Sequence, residues 1–221
     1  MSFEHKIIDL NNKPDDFIDL YQRASGSRRG LVPLLEHGDN LVIESDVVAK
    51  YVAQHIEGVD GKGDDMYPTE AEIEDEMLID SFMESWQRVT DAYYDVLRSA
   101  SQEEVEGSVP AFIQSLNIME IILQQRGDVD EGGDFLLGSK FSYAECIAAP
   151  WMQRFYVTLP YFRGIDFEDA ILGKFDCLPR WMGAVCNRQS CMDSKCPEEE
   201  MIAACKRYYV SFLSPGAGGS L

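Results

Sequence analysis

The pattern of the chain changes character near residue 58, and this change constrains the fold more than any composition figure. Before it, short β-like runs alternate with helical periodicities; after it, long helical periodicities follow one another with hardly a strand candidate. The expected class is therefore a small α+β unit followed by an all-α unit. The expected boundaries are a first domain at 1–57, a linker at 58–67, a helical domain at 68–213 and a flexible Pro/Gly-rich tail at 214–221.

In the first unit, residues 5–10 form a compact run rich in Ile and Leu, stopped by Asn11 and Asn12, and read as a strand. Pro14 opens a helix over 15–24, whose Phe17, Leu20, Tyr21 and Ala24 keep one face. Residues 32–35 and 41–43 flank His37-Gly38-Asp39-Asn40 and predict a hairpin. Ser45 is placed to cap a helix whose inner face carries Val48, Tyr51, Val52 and His55. In the second unit, Thr69-x-x-Glu72 and Ser142-x-x-Glu145 are capping boxes. The first opens a helix of about thirty residues. Ser108, with Pro110 in the first turn, is expected to start the next helix, and Pro150 to kink the one after Ser142. Weaker helical patterns cover 178–186 and 198–212.

Nineteen Lys plus Arg against 39 Asp plus Glu leave a net charge of −20, which repels polyphosphates and anionic membranes and argues against nucleic acid as a ligand. No apolar run approaches the ~20 residues of a membrane span. No targeting segment is visible, so the expected location is the cytoplasm or another reducing compartment. The six cysteines, at 146, 177, 186, 191, 196 and 205, show no Cys-x-x-Cys spacing, and His5, His37 and His55 lie far from them. No metal site is expected, and the thiols read as small hydrophobes.

The ordered wording of the chain resembles a known family. Gly30-Leu31-Val32-Pro33-Leu34-Leu35-Glu36, a Gly38-Asp39 turn, Glu44-Ser45 and a helix ending in Tyr51-Val52 resemble the glutathione S-transferases. Asn12-Lys13-Pro14 and Leu31-Val32-Pro33 are similar to their omega class, and Phe135-Leu136-Leu137-Gly138, Phe141-Ser142 and Ala148-Ala149-Pro150-Trp151-x-x-Arg154-Phe155 to their helical domain. The resemblance implies an incomplete thioredoxin-like domain ahead of the family's all-α domain, glutathione as substrate or ligand, and a homodimer or a larger protein assembly. It implies a cis peptide bond at Pro33 that turns the Val32 backbone towards the cysteinyl part of glutathione. Glu44 and Ser45 would receive the γ-glutamyl group, the carboxylate facing its ammonium and the hydroxyl and helix N-terminus its carboxylate. Lys13 would reach the glycyl carboxylate. From the residues alone, Ser45 is equally a helix cap, Glu44 a first-turn acid and Lys13 a surface lysine. Arg28 and Arg29 form one of the few basic pairs and could offset repulsion of an anionic ligand, or belong to a solvated loop.

The departure from the family pattern concerns catalysis. Its members carry the catalytic residue on a strand and helix that precede the counterpart of residues 5–10, in the omega class as a Cys-Pro pair at a helix start. The present chain begins at that counterpart, and its first cysteine is Cys146, so the nucleophile's role has no residue to receive it. The missing strand would leave the sheet split. The expected remedies are that residues 5–10 pair with the Val32 strand, that another chain completes the sheet, or that the natural protein is longer. Two functions compete: a glutathione-binding transferase whose acceptor pocket is lined by Tyr93 or Trp86, both of which also fit the core, and a non-catalytic scaffold on the same fold.

Overall fold

A computed structural model describes residues 3–56, 66–69, 72–127 and 133–209. The chain divides into two compact units, Met1–Pro68 and Thr69–Leu221. The expected linker falls largely, and the expected tail entirely, outside the described residues.

The first unit contains α1 (Asp15–Ser25), β1 (Leu34–His37), β2 (Asn40–Ile43) and α2 (Ser45–His55). Pro14 stands just before α1 as its N-cap, Asp15 and Asp16 face the helix dipole, and Gly26 ends the helix in the left-handed conformation at φ 73°. Phe17 and Tyr21, one turn apart, are buried. β1 and β2 form an antiparallel hairpin with Leu34 opposite Ile43 and His37 opposite Asn40. The connecting residues are Gly38, at φ 59°, and Asp39. Both helices pack on β2, and the Lys50 ammonium lies 4.7 Å over the buried Tyr67 ring.

Three expectations for this unit need correction. Residues 5–10 are not a strand: no ladder includes them, and Ile7 is 88% exposed. Strand propensity reports only a fit to a pleated surface, and it produces a strand only where a partner supplies hydrogen bonds. Accordingly this segment does not pair with the strand that follows Val32. That strand itself begins at Leu34, after Pro33. On α2 no residue is fully buried, and His55 is exposed rather than on an inner face.

The helical unit comprises α3 (Ile73–Arg98), α4 (Gln102–Gly127), α5 (Tyr143–Arg163), α6 (Phe167–Ala170), a 3-10 turn at Leu172–Lys174, α7 (Cys177–Asn187), α8 (Gln189–Asp193) and α9 (Glu198–Tyr209). α3 packs along α4 and α5, and α5 also holds α7 and α9. The core is aromatic: Phe82 stacks on Trp86 at 5.7 Å, Trp181 meets both edge-on, and Phe155 touches Trp86, Tyr93, Phe112 and Phe167.

α4 starts more than a turn before Ser108. Ser101 Oγ accepts the Glu104 N–H and Glu104 accepts the Ala100 N–H, so an overlooked Ser-x-x-Glu sets the start and leaves Pro110 inside the helix. At Thr69, only half of a capping box forms: Glu72 accepts the Thr69 N–H and hydroxyl, but Glu72 itself is the N-cap and the helix begins at Ile73. The Lys140 ammonium, 2.6 Å from Glu72, and the Thr69 donors hold that carboxyl at about 2. α5 runs as one helix through Pro150 and Pro160.

Three charged side chains tie this unit together at helix ends. Glu145, fully buried, accepts from the Ser142 N–H and hydroxyl, the Leu136 N–H at 2.6 Å and the Trp181 indole N–H at 3.0 Å. Glu120, on α4, receives the N–H groups of Asp176, Cys177 and Leu178 at the start of α7. Arg163 donates to the Val96 and Leu97 carbonyls at the end of α3, and burial lowers its pKa. Each places charge where the helix dipole favours it.

Candidate glutathione cradle

The candidate site of the first unit is built around the hairpin. The Val32–Pro33 peptide bond is cis. Val32 is 48% exposed, and neither its N–H nor its C=O has a partner among the described residues. Just upstream, Gly30 adopts φ 61°, and a Cβ there would stand 3.2 Å from both the Lys13 Cδ and the Phe17 ring. This close approach brings Lys13 to the loop, where its ammonium donates to the Arg29 carbonyl at 2.7 Å. An ammonium has three donors, so this bond leaves capacity for a carboxylate.

On the other side of the hairpin, Glu44 is the N-cap of α2, with φ 70° and ψ 129°, and it is the one non-glycine residue at positive φ among the described residues. Such a conformation costs on the order of 1–3 kcal/mol and persists only where the surroundings impose it. It makes Ser45 the first residue of the helix rather than its cap, which corrects the capping expectation. The Glu44 carboxylate and the Ser45 hydroxyl are exposed and have no partner among the described residues. The first N–H groups of any helix lack an acceptor within it, so α2 presents a donor-rich end beside a carboxylate. Arg28 is turned back onto α1 through Asp19 and Gln22, so of the basic pair Arg29 alone has a guanidinium without a side-chain partner among the described residues.

A family model for the glutathione S-transferase C-terminal domain matches residues 102–184. Over 91% of the chain and 79% of the relative, the sequence is 24% identical to a probable cytosolic glutathione S-transferase of Oryza sativa subsp. japonica. Its helical unit thus matches the glutathione S-transferase C-terminal domain, and most of the chain is similar to a protein of that family. Its fold matches that of the glutathione transferase Omega 3C of Trametes versicolor with a TM-score of 0.67, at 17% identity over 93% of this chain and 80% of that one. A rice glutathione transferase solved in complex with glutathione matches with a TM-score of 0.62, at 20% identity over 94% and 87% of the two chains. The architecture is thus an incomplete thioredoxin-like unit followed by the family's helical domain.

In this glutathione-transferase fold the two aromatic candidates for an acceptor pocket are core residues. Tyr93 is buried, with its hydroxyl 2.7 Å from Thr158 Oγ1; Thr158 donates to the Arg154 carbonyl, so Tyr93 is the donor. Trp86 is buried too, and its indole N–H has no partner among the described residues. The half-exposed aromatic surface lies one position further along α3. The rings of Tyr94 and Trp151 meet edge-on at 5.5 Å, with the Arg98 guanidinium 4.7 Å from the first and that of Arg154 4.6 Å from the second. Periodicity could not separate Tyr93 from Tyr94, because adjacent residues differ by a rotation about the helix that only packing resolves.

None of the six cysteines is in a disulfide. Burial, reinforced by the Glu145 charge, pushes the Cys146 thiol up to about 11, and Cys186, Cys191 and Cys205 are also raised by burial. Such thiols are protonated at neutral pH and are poor nucleophiles. Iodoacetamide at pH 8 is expected to alkylate Cys146 on the order of a hundredfold more slowly than a free thiol with pKa ~8.5. Peptide mapping over time checks this, and alkylation at the free-thiol rate would contradict it. Among the described residues, no group of His, Cys, Asp and Glu is arranged to hold a metal ion, and no helix is long and apolar enough to cross a membrane.

Proposed function

We propose that the chain binds glutathione in the cradle of its first unit. The observation that carries this reading is the pair Glu44–Ser45: a carboxylate on a costly backbone conformation, followed by a hydroxyl and a helix N-terminus, none of them engaged within the described part of the protein. Glutathione has the complementary groups. The Glu44 carboxylate faces its ammonium, Ser45 and the α2 N-terminus receive the γ-glutamyl carboxylate, the Val32 backbone pairs with the cysteinyl amide, and Lys13 reaches the glycyl carboxylate. The structure of the rice relative with glutathione supports the ligand class. On the helical unit, the surface of Tyr94 and Trp151 with its two guanidiniums suits an acceptor with an electron-rich or planar part.

A second reading, binding without thiol transfer by this chain's own cysteines, is favoured by Cys146, which sits half-buried in α5 with a raised pKa. Isothermal titration calorimetry with glutathione tests both readings when run beside a thiol-transfer assay. Heat of binding in the wild type, weakened about tenfold or more in Ser45→Ala, is the expected result. Binding without turnover supports a scaffold or ligand-sensing role. Turnover with a disulfide acceptor would show that a nucleophile is supplied in another way.

A further inference from the structure

α2 follows the hairpin with no loop between them. Ile43 ends β2, Glu44 comes next, and Ser45 is already helical. The direction of the whole helix therefore hangs on the two dihedral angles of Glu44, at φ 70° and ψ 129°. A residue with a Cβ leaves such a conformation for the β or right-handed region unless its surroundings hold it, and a change of that size at the joint swings α2 off the hairpin. Burial alone is a weak restraint here, because no residue of α2 is fully buried.

The far half of the helix carries a polar tie. Tyr51, roughly 9 Å beyond Ser45 along the helix, puts its hydroxyl against the two residues that flank the hairpin turn. His37 Nδ1 lies 3.0 Å from it, and the Asn40 side-chain amide donates to it at 3.1 Å. His37 and Asn40 face each other across the ladder, so both contacts fall on one end of the hairpin. Asn40 occupies one lone pair of the hydroxyl oxygen, which leaves the hydroxyl proton for His37 Nδ1. The His37 ring meets the Tyr51 ring edge-on at 5.9 Å, and His55, one turn further along α2, backs it at 4.6 Å. Together they fix the ring where its hydroxyl reaches the turn. A helix joined covalently at Glu44 and tied at Tyr51 has its direction set by those two points. Loosening the second frees the first to relax.

We propose that Tyr51 is a positioning residue of the cradle: clasped by His37 and Asn40, it holds α2 on the hairpin, imposes the Glu44 conformation and so aims Ser45 and the helix N-terminus. The clasp stands on the geometry of the first unit, while its consequence for glutathione rests on the function proposed above. The test uses the full chain and NMR. Tyr51→Phe removes the hydroxyl and keeps the ring. Without ligand it should speed exchange of the Val48 amide, bonded to the Glu44 carbonyl at 2.8 Å, about fivefold, the effect of losing one net hydrogen bond. The one-bond Cα–Hα coupling of Glu44, smaller at positive than at negative φ, should rise. Glutathione affinity should fall at least about twofold, because the binding-competent fraction falls. His37→Ala/Asn40→Ala, two exposed changes outside α2, removes the other half of the clasp and should reproduce all three effects. A tyrosine that merely stabilised the unit would leave the Glu44 coupling where it is. An unchanged coupling or an unchanged Val48 exchange in both variants overturns the clasp, and a shifted coupling with undiminished affinity overturns the positioning role. A wild type whose variants show the coupling and exchange shifts but which binds no glutathione supports the clasp and overturns the cradle reading alone.

Discussion

Replacing Glu145 by alanine is expected to destabilise the helical unit by about 3–5 kcal/mol, a third or more of the stability of an ordinary domain. The carboxylate is fully buried and is the acceptor for the Ser142 and Leu136 N–H groups and the Trp181 indole. Its removal strands four buried donors, the Ser142 hydroxyl included, each costing about 1–3 kcal/mol when left unpaired, and opens a void beneath Trp181. The change is read without ambiguity, because all three tryptophans, Trp86, Trp151 and Trp181, lie in this unit and report its unfolding by fluorescence. Glu145→Gln separates charge from acceptor. It keeps one oxygen, but turns an amide N–H₂ towards N–H donors, and should recover less than half of the loss. A urea midpoint within about 0.5 kcal/mol of the wild type would refute the role assigned to Glu145.

Glu120→Ala is expected to cost about 2–4 kcal/mol by the same measurement. Asp176, the N-cap of α7, makes no side-chain capping bond, and Glu120 supplies the acceptors from α4. Burial tends to raise the Glu120 pKa, but the N–H groups of Cys177, Leu178 and Asp176 together hold it below the usual carboxylate value. A carboxyl depressed in the folded state contributes its stability fully above its unfolded pKa of ~4.3 and loses it as the pH falls through the folded value. The gap between wild type and Glu120→Gln should therefore be constant from about pH 6 to 8 and narrow below about pH 4. A gap that widens on acidification would contradict this assignment.

The sequence made some of this architecture legible and hid the rest for physical reasons. The capping box at Ser142 was readable because both partners are local, three residues apart. The cap supplied by Glu120 was not, because its donors lie more than fifty residues away on another helix and no local pattern encodes them. Residues 5–10 carried strand composition but depend on a partner for a ladder, so propensity alone misassigned them. Ser108 with Pro110 two residues on carries a local helix-start signal, but the competing Ser101-x-x-Glu104, seven residues earlier, sets the start. In the cradle, Val32, Pro33, Glu44 and Ser45 stood out through their resemblance to the family. The backbone conformation of Glu44, which most sharply marks the site, is a tertiary outcome that no local residue preference favours.

That conformation also offers the most direct test of the central claim, that the first unit preserves a ligand cradle. Glycine adopts φ 70° without penalty, so Glu44→Gly relieves the backbone while removing the carboxylate. The decisive measurement is the glutathione affinity of Glu44→Gly by calorimetry, with its melting temperature recorded alongside. The account predicts an affinity at least about tenfold weaker in a protein that melts no lower than the wild type. An unchanged affinity would contradict it.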